Sequence, residues 1–254
     1  MRSDNQPLAD DVGKFRTTRW SAVLLSAQTK VPGSQAALAE LCKTYWYAIY
    51  ASVRHRGYDA EDAQDLTQGF FLHLLEYKAL RQVSPGKGKF RSFLCASLRN
   101  FLFNAADHAR SFKRGGHVEL VPLETQAAEL RYQRESPDTL TPEKSFDARW
   151  AITLIDQVMR RLEEEYALQG KQTIFEALKP FLETINSRAR LSYEQAADAL
   201  QVTLAAVKTL IHRLRKRYTF LLREEVGRTV ADPREIDEEL HALCEALIAT
   251  EGRL

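Results

Sequence analysis

Apolar residues recur along this chain at helical spacing, and no stretch keeps the two-residue alternation of a half-buried strand. Trp20, Val23 and Leu24 predict a short helix from near Thr17 or Thr18, ended by Pro32 and Gly33. Ser34 can cap a second helix, with Ala37, Leu38, Leu41, Tyr45, Ala48, Ile49 and Val53 on its apolar face and Gly57 closing it. Asp59 to Leu75 reads as a third, with Ala63, Leu66, Phe70 and Leu74 inward. A fourth begins near Phe90 and buries Leu94, Leu98, Phe101, Leu102 and Ala105. Thr141 and Pro142 fit the N-cap and first turn of a helix carrying Leu154, Ile155, Val158, Leu162 and Tyr166, which Gly170 ends. Ile174 to Leu182 is a shorter helix interrupted at Pro180. Asp232-Pro233 opens a last helix with Ile236, Leu240, Leu243, Leu247 and Ile248 on one face. The predicted class is all-α.

Leu191 to Glu225 has a more specific pattern. Ser192 and Gln195 make a capping box ahead of Tyr193, Ala196, Ala197 and Leu200. Gln201, Val202 and Thr203 break the repeat, without the glycine frequent in such turns. A longer helix follows, with Val207, Leu210, Ile211, Leu214, Tyr218, Leu221 and Leu222 on one stripe and Lys208, Thr209, His212, Arg213, Arg215, Lys216 and Arg217 on the other. From Thr203 to Arg223 there are six Lys or Arg (208, 213, 215, 216, 217, 223) and no Asp or Glu. A solvated surface helix is the plain alternative, but these cations have no acids along the helix to satisfy them. A short helix, a tight turn and a second helix with one apolar and one cationic face is the arrangement of a DNA-binding helix-turn-helix.

Charge elsewhere changes the picture. The net charge of +2 says little, but its distribution is blocked. Asp59 to Glu76 holds five acids (59, 61, 62, 65, 76) and no Lys or Arg. Gly86 to Gly116 holds seven cations (87, 89, 91, 99, 110, 113, 114) and one acid, Asp107. Blocks of opposite sign point to two partners, a basic protein surface and a nucleic acid. On the acidic helix Asp65, Gln68 and Leu72 lie opposite the buried stripe with Asp62 beside them; an exposed Leu among acids suits protein docking, or is a stray surface residue. On the basic helix Phe103 lies between Arg99 and Arg110 with Asn100 adjacent, suited to stacking on an unpaired base, or to packing on a loop.

Five segments are expected: residues 1–16 disordered, 17–114 a helical domain, 115–144 a linker rich in Gly and Pro, 145–228 the helix-turn-helix domain and 229–254 a C-terminal helix. Cys42, Cys95 and Cys244 are far apart and read as reduced core residues of a cytoplasmic protein. The N-terminus lacks a signal peptide's apolar core, and no apolar run is long enough to cross a membrane. Gly86-Lys-Gly-Lys89 lacks phosphate-loop spacing, and the histidines show no metal-ligand spacing. No enzyme signature is found and no cofactor or metal is expected.

Asp62-Ala-Gln-Asp65-Leu-Thr-Gln68-Gly-Phe-Phe71 closely resembles the DAEDLTQEVF motif of extracytoplasmic-function (ECF) sigma factors of bacterial RNA polymerase, in the sigma-seventy superfamily. Phe90-Arg-Ser-Phe-Leu and Leu98-Arg-Asn100 resemble that family's FRAWLYRIARN stretch, and Ser192 to Arg217 its LSYEEIAE…TVKSRLHRARKRL segment. The Trp20 segment and the tail resemble a planctomycete-style branch. The resemblance implies that 17–114 is a region 2-like domain and 145–228 a region 4-like one. It implies that Asp62, Asp65, Gln68 and Leu72 dock on the basic coiled coil of the largest polymerase subunit. Lys89, Arg91, Arg99, Asn100, Phe103 and Arg110 would melt and hold the minus-ten element. Thr203, Lys208, Thr209, His212, Arg213, Arg215 and Lys216 would read the minus-thirty-five element while the domain packs on the flap of the second-largest subunit. Core polymerase and promoter DNA are the implied partners, with an anti-sigma factor a further one the resemblance allows. Three positions depart from the pattern: Gly69 and Leu204 stand where acids are usual, and Leu210 where an arginine is usual. The competing reading is a dimeric helix-turn-helix regulator of operator DNA, which has no need of the acidic motif and would use a dimerisation helix, for which Asp232 to Ala249 is the candidate.

Overall fold

The computed structural model describes residues 34–76, 90–108, 125–134, 140–182, 192–230 and 232–250. The helix expected near Thr17, the Pro85–Lys89 loop and Arg110 lie outside these residues. Within them every regular element is helical: α1 (Ser34–Arg54), α2 (Ala60–Glu76), α3 (Phe90–His108), α4 (Thr125–Arg134), α5 (Pro142–Leu168), α6 (Gln172–Leu178), a 3-10 turn (Lys179–Phe181), α7 (Tyr193–Leu200), α8 (Leu204–Gly227), a 3-10 turn (Pro233–Glu235) and α9 (Ile236–Ala249). The fold is all-α. Among the described residues no helix is long and apolar enough to cross a membrane.

The helix ends follow local chemistry. Thr141 is extended (φ −62°, ψ 150°), and its hydroxyl accepts the Lys144 N–H ahead of Pro142. Ser192 and Gln195 close the expected capping box on α7. Gly170, at φ +68°, ends α5, with the Lys171 N–H reaching back to the Tyr166 carbonyl.

Two apolar clusters hold the helices. In the first, α1 is buried almost all round from Thr44 to Val53, as its Tyr-Trp-Tyr-Ala-Ile-Tyr run requires. Around it pack Phe70, Phe71 and Leu74 of α2, Leu94, Leu98 and Leu102 of α3, Ala128 of α4, and Phe146, Trp150 and Leu154 of α5. The second joins Val158 and Leu162 of α5 to Phe175 and Leu178 of α6, Ala196 of α7, and Val207, Ile211, Leu214 and Leu221 of α8. The division between the two clusters falls inside α5, whose N-terminal half belongs to the first.

Two differences concern the expected linker and tail. Residues 125–134 form α4, with little apolar surface of its own. Glu129 takes hydrogen bonds from Arg54 (2.8 and 3.0 Å) and Tyr50, and the Arg131 guanidinium lies 4.0 Å from the Tyr47 ring centroid. The tail helix α9 packs Ile236, Leu240, Leu243 and Leu247 on the first cluster, leaving Ile248 at 75% exposure rather than on the buried face. Of the cysteines, Cys42 is buried and Cys95 half-buried, and burial pushes each thiol up to about 12; Cys244 is exposed, not core.

The Glu129 cluster gives a pH prediction. Burial works to raise this carboxyl's pKa, but hydrogen bonds from Arg54, Tyr50 and Gln133 outweigh it and hold the group below its ordinary 4.5. A depressed folded pKa means the unfolded chain takes up the proton first. The cluster's stabilisation is thus complete above pH 4.5 and is lost as pH falls through the folded value. The urea midpoint should hold between about pH 7 and 5 and decline below about 4.5. A Glu129→Gln variant should show a shallower decline, and an identical profile would contradict the assignment.

Candidate functional site

Two charged surfaces and one aromatic one stand out. On α2 the buried stripe is Ala63, Thr67, Phe70, Phe71 and Leu74. Asp62 and Asp65 are exposed on the other side, with Gln68 and Leu72 half-buried beside them. Asp59 begins the helix by accepting the Asp62 N–H at 2.8 Å. Neither Asp62 nor Asp65 makes an ion pair among the described residues, so the face keeps its negative charge. Gly69 faces α3: a Cβ there would lie 3.4 Å from the Phe101 ring, an ordinary contact distance, and that ring packs on Phe70 and His73.

On α3, Leu94, Leu98 and Leu102 point inward while Arg99 and Asn100 are exposed and Phe103 is 72% exposed. Arg99 lines a cleft of about 150 Å³ together with Arg56, from the turn that follows α1, and Glu143. Arg56 was not expected from the sequence; its Nη1 donates to the Ser52 carbonyl at 2.6 Å, which holds the guanidinium in place. Nothing in its local sequence signals a role, since only the fold brings it beside Arg99.

Arg91, expected to meet DNA, does not belong to this surface. It is 4% exposed, lies 5.1 Å over the Trp150 ring, and pairs with Asp147 at 2.6 Å and with Glu239 of α9. Its charge is consumed inside the protein. Lys89 and Arg110 lie outside the described residues.

The third surface is built by α7, a three-residue turn and α8. Gln201 takes the left-handed conformation (φ 52°, ψ 44°) that glycine adopts without strain. The Val202 N–H reaches the Ala197 carbonyl at 3.0 Å and the Gln201 N–H that of Asp198 at 3.2 Å, a Schellman end. Thr203 then caps α8, its hydroxyl accepting the Ala206 N–H at 3.3 Å. A non-glycine residue in this conformation costs about 1–2 kcal/mol. The exposed Gln201 side chain offers little packing in return. Gln201→Gly should therefore raise the melting temperature by a few degrees, after the entropy glycine adds to the unfolded chain. A lower melting temperature would show that the side chain holds the turn in some other way.

Along α8 Lys208, Thr209, His212, Arg213, Arg215 and Lys216 are all exposed on the face opposite Val207, Ile211, Leu214 and Leu221. Lys208 is close enough to Glu194 for its charge to help hold that carboxyl low, after Glu194's own backbone and Ser192. Arg215 donates to the Phe181 carbonyl at 3.1 Å. Two of the cations counted in the sequence are neutralised from elsewhere. Arg217 makes a two-pronged pair with Glu165 (2.7 Å each), and Arg223 pairs with Asp237. Arg161 ties the same region to Glu224 (3.0 Å) and Glu225 (3.2 Å). The half of α8 beyond Lys216 is thus fixed to α5 and α9, and the free positive charge is concentrated in its first half.

Among the described residues no group of three or more His, Cys, Asp or Glu side chains converges as metal ligands would. No protein-family model matches the chain, and no curated protein and no solved structure matches it.

Proposed function

We propose that this protein is a sigma factor of the extracytoplasmic-function type, which binds bacterial core RNA polymerase and directs promoter-specific initiation of transcription. The observation that carries the reading is the pairing, in one chain, of an acidic helix face without internal cations and a basic face at the start of α8 without internal acids. The order of three sequence motifs resembling that family supports it. Asp62, Asp65, Gln68 and Leu72 dock on the polymerase's basic coiled coil. Arg99, Asn100 and Phe103, joined by Arg56, hold the opened strand. Thr203, Lys208, Thr209, His212, Arg213, Arg215 and Lys216 meet the upstream duplex, with α7 and α8 acting as a helix-turn-helix. The proposed site of action is the cytoplasm.

The alternative, a dimeric operator-binding regulator, would draw its dimerisation helix from the tail. Leu243 of α9 is instead buried against its own chain, with Ile236, Leu240 and Leu247 packed partly buried beside it, which favours the first reading. Retention of purified core polymerase on the immobilised full-length chain tests the proposal, and absence of retention at low salt would refute it.

Phe103 allows a narrower test. At 72% exposure its truncation removes almost no packing, so Phe103→Ala should leave the melting temperature within about 1 °C of wild type. It should reduce permanganate reactivity of unpaired promoter thymines while closed-complex binding persists. Full reactivity in the variant would remove Phe103 from strand capture.

A further inference from the structure

The first three turns of α8 are less polar at the base-reading end than their charge suggests. They present Leu204, Ala205, Lys208, Thr209 and His212 to solvent. Leu204 is 37% exposed although it opens a cationic helix. The Thr209 hydroxyl donates to the Ala205 carbonyl at 3.0 Å, and the Thr203 hydroxyl accepts from the Ala206 N–H, so both serve the helix's own backbone. Between Val202 and Arg213 there is no Asn or Gln to pair with adenine and no Asp or Glu to accept from cytosine. Apolar surface, cations and the His212 imidazole remain. In the major groove only thymine offers a methyl group, and guanine is the base that cations read best.

We propose that the start of α8 recognises thymine methyl groups in duplex DNA through Leu204 and Ala205, with Lys208 and Arg213 supplying guanine and phosphate contacts alongside. This rests on α7–α8 acting as a helix-turn-helix. Leu204 then has a role beyond a lost acid: the position exchanges a charge that repels phosphate for an apolar contact that names a base. Burying a base methyl against a leucine removes both from water, which gives discrimination without a hydrogen bond.

The full-length chain is used to select duplexes from a random library, and the preferred duplex is remade with each thymine replaced singly by uracil. Uracil keeps every donor and acceptor and lacks only the methyl. At one or two adjacent positions affinity should fall about fourfold, the effect of one buried methyl, with no change elsewhere. Leu204→Ser should bind the thymine and uracil duplexes equally at the position it reads. A selected duplex on which no thymine is sensitive to uracil would overturn the methyl readout and leave the helix-turn-helix reading standing. A selection yielding no preferred sequence would overturn both. The uracil series uses the wild-type chain, so it is independent of any effect of Leu204→Ser on folding.

Discussion

Glu239→Ala should lower the melting temperature by roughly 10 °C. Glu239 is 3% exposed and Arg91 4%, and the two pair beneath α9 beside Trp150. Removing one partner of a buried pair leaves the other charge buried and under-compensated, at about 3–5 kcal/mol. Asp147 remains on Arg91 at 2.6 Å, which places the loss toward the lower end. For a chain of this size each kcal/mol shifts the midpoint by about 2–4 °C. The double variant Arg91→Met, Glu239→Leu should recover most of the loss, because Asp147 is 31% exposed and can return to water. Scanning calorimetry on the three proteins checks this. A single variant as stable as wild type would show that α9 is held by its leucines alone.

Asp65→Arg should abolish retention of core polymerase without unfolding the protein. Asp65 is exposed and lies on the side of α2 away from Phe70 and Leu74, so the larger side chain meets no packing. It reverses a charge in the centre of the acidic face. If the partner surface is basic, attraction becomes repulsion, and like-charge juxtaposition across an interface costs several kcal/mol. The pull-down signal should fall to background, while low-salt affinity for duplex DNA, which the proposed function assigns to α8, stays unchanged or rises slightly. A variant that retains polymerase normally would remove Asp65 from the docking face.

Much of this architecture was legible from local chemistry. Ser34, Phe90, Thr141-Pro142 and Ser192 mark helix starts through caps and the onset of apolar periodicity, and the structure starts α1, α3, α5 and α7 at or just after them. The face of α2 that carries Asp62 and Asp65 followed from helical spacing. Features set by distant residues were not legible. Helix α4 was hidden because Glu129 and Arg131 fix it through a carboxylate–guanidinium contact and a ring, not through an apolar stripe. Arg91 has the local surroundings of a surface cation, and only the approach of Asp147 and Glu239 buries it. Arg217 and Arg223 looked unsatisfied because acids were counted along their own helix, whereas Glu165 and Asp237 arrive from α5 and α9. Gln201 shows the converse: the backbone takes the conformation expected of glycine with another residue in place, so absence of glycine did not mean absence of the turn.

On the proposed function, one chain joins core polymerase to a chosen promoter. Run-off transcription tests it most directly, using purified bacterial core polymerase, the full-length protein and a template library with random upstream sequence. Transcripts should require both components, start at fixed positions downstream of an enriched element, and vanish with Asp65→Arg. Core polymerase that gives no protein-dependent transcript, while the chain alone binds a palindromic duplex as a dimer, would contradict it.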